Sequence, residues 1–384
     1  MRYTNFKDLK ISAIGFGTMR LPKDQDDNID YEKGEEMVAA AFKGGINYFD
    51  TAYKYHEGES ENFCGNVLSK YPRSSYFLAD KLPTWLCKSV DDAESLLKEQ
   101  LAKCKTEYFD FYLLHSVSEE SWVNIEALDL VHFMKDAKEK GLAKHIGLSV
   151  HCQPELLEKI FSEYGDTLEF VQIQLNYMDW DYINAKELYK IAHKHDKPII
   201  VMEPLRGGML AELPSKEAEK ILVEATKAAG QSPCSKASYG LRFTSQLEGV
   251  ICTLSGMSTL EQMIENTEIF SGPLLTETEL DAIPKAAEKL RSDIMVPCTG
   301  CNYCYECPSN IKIPEIFKFY NDTAARNFIF LWDSLEELYG NLGPNAKNCI
   351  ECGNCQSQCP QKINIIDKLK EIDNKYEEII SKGK

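Results

Sequence analysis

Ile46-Asn47-Tyr48-Phe49-Asp50-Thr51-Ala52-Tyr53-Lys54-Tyr55 is a short apolar run that ends in a carboxylate and breaks into a polar, aromatic turn. A helical pattern, Glu32–Lys43, precedes it, and the next apolar run, Tyr76–Lys81, again ends in a charged residue. The unit recurs. Candidate strands are Ile14–Gly17, Asn47–Asp50, Tyr76–Lys81, Phe109–His115, His145–Ser149, Phe170–Gln174, Pro198–Met202 and Gly249–Thr253. Amphipathic stretches such as Val90–Lys103, Ile125–Lys140, Tyr182–Lys194 and Glu217–Ala229 separate them. Strand–helix alternation implies parallel strands with crossover helices. Eight such units in residues 1–290 predict an α/β fold, a (β/α)8 TIM barrel. A doubly wound sheet would announce itself with a glycine-rich phosphate turn. Here Gly15-Phe16-Gly17 runs on into Thr18-Met19-Arg20.

In a barrel, strand C-termini converge on one mouth, where catalysis occurs. Asp50, Lys81, His115 and Ser149 each end a candidate strand. Singly, each is an ordinary cap or a satisfied buried group; together they predict a site.

The chain has 384 residues and a net charge of −17. Nucleic-acid binding needs clustered Lys and Arg, so a nucleic acid is not an expected partner. No stretch reads as a signal peptide or a bilayer span, which predicts a cytoplasmic protein without a membrane partner. In that compartment 14 cysteines point to metal or redox chemistry rather than to disulfides. Six of them are scattered and read as packing residues.

The other eight form two runs, Cys298-x2-Cys301-x2-Cys304-x2-Cys307-Pro308 and Cys349-x2-Cys352-x2-Cys355-x3-Cys359-Pro360. The second has the bacterial ferredoxin spacing; the first is one residue shorter before its last Cys. Zinc prefers separated pairs of thiolates, so the triplets ending in Cys-Pro predict two [4Fe–4S] clusters. The fourth Cys of each run turns toward the other cluster. This predicts Cys298, Cys301, Cys304 and Cys359 on one and Cys349, Cys352, Cys355 and Cys307 on the other. Pro314–Tyr320 and Phe328–Leu338 read as helices between the runs. Residues 291–384 thus form a small, mainly α-helical module that resembles a two-cluster ferredoxin domain.

Residues 1–290 resemble an aldo-keto reductase. The matching segments are Ile46–Tyr55, Phe77-Leu78-Ala79-Asp80-Lys81-Leu82, Tyr112-Leu113-Leu114-His115 and Ile146-Gly147-Leu148-Ser149, in the family's order. The resemblance implies a catalytic tetrad of Asp50, Tyr55, Lys81 and His115. Carbonyl reduction needs an acid at the oxygen. Tyr55, with an ordinary pKa of about 10, is the expected acid, lowered by the Lys81 ammonium; Tyr53 is the rival. Asp50 would hold Lys81, and a neutral His115 would donate to the developing alkoxide. Trp85, His151 and Trp180 are candidate pocket walls.

The same resemblance puts a nicotinamide carboxamide at Ser149, Gln172 and Asn176. It puts the phosphates on the loop of Leu205 and Gly207, and the adenosine end at Ser255, Gly256 and Asn266. Met202 stands where many members stack a Tyr, and Gly256 and Gln262 stand where many place cations for the 2′-phosphate of NADPH. The expected cofactor is therefore NAD(P)H with NADH favoured over NADPH. No flavin motif is legible, although a flavin would join hydride to single-electron chemistry. The implied partners are a small carbonyl or alcohol substrate and a ferredoxin or other electron carrier. The alternative is a redox sensor or electron-transfer subunit with a non-catalytic barrel.

Overall fold

The computed structural model describes residues 1–324 and 339–383. The chain divides into two compact units, one of Met1–Pro204 with Ser238–Leu275, the other of Leu205–Ala237 with Thr276–Lys384.

The first unit opens with an antiparallel hairpin, β1 (Tyr3–Phe6) and β2 (Leu9–Ser12). Eight parallel strands then close a barrel: β3 (Ile14–Gly17), β4 (Tyr48–Asp50), β5 (Phe77–Leu82), β6 (Phe109–Val117), β7 (Ala143–Val150), β8 (Phe170–Gln174), β9 (Ile199–Met202) and β10 (Val250–Ser255). Their order around the barrel is their order in the chain, and β10 pairs with β3 to close it. All eight expected strands are present within two residues at each end.

Helices α1 (Tyr31–Gly44), α2 (Glu59–Leu68), α3 (Val90–Lys103), α4 (Glu119–Ala127), α5 (Leu130–Glu139), α6 (Pro154–Tyr164) and α7 (Ala185–Lys194) connect the strands as far as β9. The expected helix Ile125–Lys140 is instead the end of α4 and all of α5. Asp129, at φ +55°, breaks the helical path between them. A left-handed residue cannot continue a right-handed helix.

The hairpin was not foreseen, because its two four-residue strands carry little apolar periodicity. It plugs the barrel: Phe6 and Ile11 join Tyr48, Ala79, Phe111, Leu113, Phe170 and Ile200 in one buried cluster. The Phe6 ring lies 5.5 Å from Phe111 and 4.8 Å from His145, near the starts of β6 and β7.

In the second unit, helices Lys216–Ala228 and Glu277–Asp293 pack together, tied by Thr226 Oγ1 to Glu279 Oε1 at 3.1 Å. The sequence pattern groups both with residues 1–290. Helices Ile313–Ala324 and Ile365–Gly383 enclose an apolar core around Ile316, Phe317, Tyr320, Ile372 and Tyr376. The expected helix Phe328–Leu338 lies outside the described residues. Among the described residues no helix is long and apolar enough to cross a membrane.

Packing is tight where α2 meets the end of α3. A Cβ on Gly65 would stand 2.1 Å from the Lys103 carbonyl oxygen. Gly65→Ala should therefore cost roughly 1–3 kcal/mol by overpacking in anaerobic urea unfolding. Gly340→Ala, which meets nothing within 4 Å among the described residues, should cost less than about 0.5 kcal/mol.

Candidate active site and thiol-lined cavities

Strand periodicity builds the barrel site. Tyr48, Ala79, Leu113, Phe170 and Ile200 belong to the inner core. Side chains two residues along share a face, so Asp50, Lys81, His115, Gln172 and Met202 form the next layer toward the mouth. Lys81 is fully buried, and its Nζ donates to Asp50 Oδ1 at 2.7 Å and to the Thr51 carbonyl at 2.8 Å. Its backbone is gripped as well. Asp80 Oδ1 accepts from the Lys81 N–H at 2.8 Å, and Gln100 on α3 donates to the Lys81 carbonyl at 2.9 Å.

Tyr55 follows β4 on a turn in which His56, Glu57 and Gly58 are all left-handed (φ 51°, 56° and 96°). The Leu21 N–H donates to His56 Nε2 at 3.2 Å and pins that turn. The Lys81 ammonium lies 5.1 Å from the centroid of the Tyr55 ring, and His115 meets that ring edge-on at 6.3 Å. Tyr53 turns away instead, its hydroxyl donating to Glu99 on α3 at 3.2 Å.

A bulge sets His115. The β6–β7 register shifts between Leu114 and Val117, and Ser116 has φ +56°. Bulges re-aim side chains beside active sites, and nothing in the apolar run signalled this one. Trp85, 41 % exposed, stands 5.2 Å from His115 and walls the site. Trp180 packs against Tyr189 and Phe243 instead.

Burial, then the Lys81 and His151 charges, hold the His115 pKa well below the ordinary imidazole range. Burial raises Asp50 while Lys81 pulls it down. The expected lowering of Tyr55 does not occur. Burial pushes its phenol up, and Asp50, Glu203 and Asp80 add to that, with Arg20 opposing. Asp50 balances the ammonium that was to depress it. A residue without any motif to single it out also stands here. Arg20, after β3, reaches within 4.0 Å of Glu203, and its side chain lies against Gly256.

The nicotinamide candidates are placed unevenly. Ser149 Oγ and Gln172 Nε2 both point at Met202 Sδ, each at 3.7 Å, and Gln172 Oε1 is buried without a hydrogen-bond partner. That orphaned acceptor suits a carboxamide N–H. Asn176 is committed to its own loop, donating to Asp179 and to the Glu203 carbonyl. Ser255 Oγ accepts from Asn266 at 3.0 Å, with Gly256 adjacent. Leu205 and Gly207 fall in the second unit.

In that second unit the eight thiols sort into two cavities. Cys298, Cys301, Cys304 and Cys359 line one of about 320 Å3. Cys307, Cys349, Cys352 and Cys355 line another of about 330 Å3, and Ile313 borders both. Each cavity thus draws its fourth thiol from the other run. Left-handed Gly300, Asn302, Glu351 and Gly353 curl the runs, and the Gly300 N–H donates to Cys298 Sγ at 3.4 Å. Four thiols, apolar walls and an N–H aimed at sulfur fit an iron–sulfur cluster. Among the described residues no group of three or more His, Cys, Asp or Glu is placed to hold a single metal ion.

The aldo/keto reductase family profile matches residues 13–288, and a 4Fe-4S dicluster domain profile matches residues 297–375. The chain belongs to the aldo/keto reductase family. It joins that family's barrel to a C-terminal dicluster domain. An uncharacterized oxidoreductase, YqkF of Bacillus subtilis, is 25% identical over 300 residues, 72% of this chain and 92% of that protein. Among solved structures, aldo-keto reductase AKR11C1 of Bacillus halodurans has a TM-score of 0.61 at 22% identity, covering 74% of this chain and 96% of its own. An aldo-keto reductase of Klebsiella pneumoniae in complex with NADPH has a TM-score of 0.60 at 19% identity, covering 72% and 91%. Nothing among these relatives supports a preference for NADH.

The depressed His115 sets a pH signature. In the unfolded chain a His titrates near 6.5, so below that pH the unfolded state binds a proton that the folded state refuses. Stability is then lost as pH falls. His115→Gln should flatten the decline in unfolding free energy below about pH 6.5; an unchanged slope would count against a neutral, buried His115.

Proposed function

We propose that the barrel, residues 1–290, interconverts a small carbonyl compound and its alcohol, linked to one-electron transfer through two [4Fe–4S] clusters in residues 291–384. The observation that carries this is the sealed Lys81 ammonium between Asp50 and the Thr51 carbonyl, beneath the Tyr55 ring with His115 at its edge. A buried ammonium under a phenol ring at the strand ends is the arrangement that acid catalysis at a carbonyl oxygen calls for.

Each residue then has a role. Tyr55, its phenol pushed up by burial, holds its proton at neutral pH and delivers it to the carbonyl oxygen. Lys81 stabilises the phenolate left behind, and Asp50 fixes Lys81. His115, neutral, donates a hydrogen bond to the same oxygen as charge builds there. Trp85 shapes the substrate side. Ser149 and Gln172 grip the carboxamide once Met202 yields their hydrogen bonds. Ser255, Gly256 and Asn266 take the adenosine end, and Arg20 adds a cation. NAD(P)H held here would supply the hydride that, with the Tyr55 proton, reduces the carbonyl, and the clusters would exchange single electrons with a carrier. Cys298, Cys301, Cys304 and Cys359 hold one cluster; Cys307, Cys349, Cys352 and Cys355 hold the other. The partner for single electrons is a ferredoxin-type carrier.

Tyr55→Phe tests the assignment. Carbonyl reduction with NADPH or NADH, assayed over a panel of small aldehydes and ketones, should fall about 10²–10⁴-fold while iron content and unfolding midpoint hold. Undiminished turnover would remove Tyr55 as the acid.

A further inference from the structure

Arg206 follows β9 by four residues and belongs to the same compact unit as the eight cluster thiols. It is fully buried, the largest side chain so enclosed. Its Nη2 donates to Gln361 Oε1 at 3.3 Å. Gln361 lies two residues past Cys359 and borders the cavity of Cys298, Cys301, Cys304 and Cys359. The next residue locks the loop onto the same motif. A Cβ on Gly207 would stand 1.9 Å from the carbonyl oxygen of Thr299, the residue after Cys298. Arg206, Gly207 and Gly208 are left-handed in succession, at φ 50°, 66° and 98°. For the Arg this conformation is strained, and such strain persists only where the surroundings impose it.

We propose that Arg206 balances the charge of the cluster held by Cys298, Cys301, Cys304 and Cys359, and so raises that cluster's reduction potential. The inference rests on the ligand set assigned under the proposed function. A cluster gains a negative charge when it takes an electron, and net charge and hydrogen bonding are what set its potential. A guanidinium stays protonated at any working pH. Enclosed in protein, it acts on its neighbours through a lower effective dielectric than water offers. Around the second cavity, Lys370 is half-exposed and paired with Glu351 at 2.8 Å, a screened arrangement of little consequence. Arg206 therefore favours the electron on the first cluster. It does so from a loop that the family resemblance gives to the nicotinamide phosphates.

The test is a potentiometric titration of the full, cluster-replete chain, followed by electron paramagnetic resonance. Arg206→Gln should lower one couple and leave the other. The expected shift is at least roughly tenfold in the one-electron equilibrium, about 59 mV. Arg206→Lys should retain most of the wild-type value. Gln361→Glu sets a carboxylate against the guanidinium and should lower the same couple. An unchanged couple in iron-replete R206Q overturns the proposal, as does an equal shift of both couples. If R206Q cannot hold iron, Q361E decides: a lowered single couple supports the proposal and an unchanged one overturns it. A wild-type chain that binds no iron would instead refute the ligand assignment and leave these comparisons without a couple to read.

Discussion

A lysine ammonium with no exposed surface is the constraint around which the barrel is organised. Burying a charge costs several kcal/mol unless it is paired and hydrogen-bonded. Asp50 and the Thr51 carbonyl meet that demand through the side chain, while Asp80 and Gln100 hold the backbone on either side. Gln100 in turn accepts from Tyr112 at 2.7 Å and donates to Glu61 at 3.0 Å. One charge thus ties β4, β5, β6, α2 and α3 together. Removing either member of such a pair typically costs 3–5 kcal/mol, so the polar site and the stability of this side of the barrel are not separable. The rigidity has a chemical use, since a phenol beside a fixed ammonium can lose its proton without reorganisation.

Most of this architecture was legible in the sequence, for one physical reason. Parallel strands buried on both faces read as plain apolar runs, and their ends carry the chemistry. Ala79 and Lys81, or Leu113 and His115, needed only a two-residue period to be placed in successive layers. The cysteine runs were legible because cluster ligation constrains spacing tightly. What escaped was long-range or conformational. The β1–β2 hairpin owes its place to Phe6 meeting Phe111 across about a hundred residues of chain. The bulge at Ser116 and the left-handed Asp129 are backbone states that their side chains do not announce. The Tyr55 pKa went the other way because burial, and after it the Asp50, Glu203 and Asp80 carboxylates, act on the phenol. Arg20 was passed over because it lies in a turn, and only folding brings it to Glu203 and Gly256.

The two halves of the chain differ in electron count. A carbonyl and its alcohol differ by two electrons, and each cluster exchanges one. On the proposed reading, two clusters would together hold the pair that one turnover moves. Met202 occupies the hydrogen bonds of Ser149 and Gln172, so a nicotinamide carboxamide at that place would have to displace it.

The central claim is that barrel and clusters share electrons. It is tested most directly by adding NADPH or NADH to the oxidised, cluster-replete chain without oxygen and following cluster absorbance and paramagnetic resonance together. The account predicts that a reduced nicotinamide bleaches the clusters, two electrons per nicotinamide oxidised. Clusters that stay oxidised in the presence of either nicotinamide, yet accept electrons from a reduced ferredoxin, would contradict it.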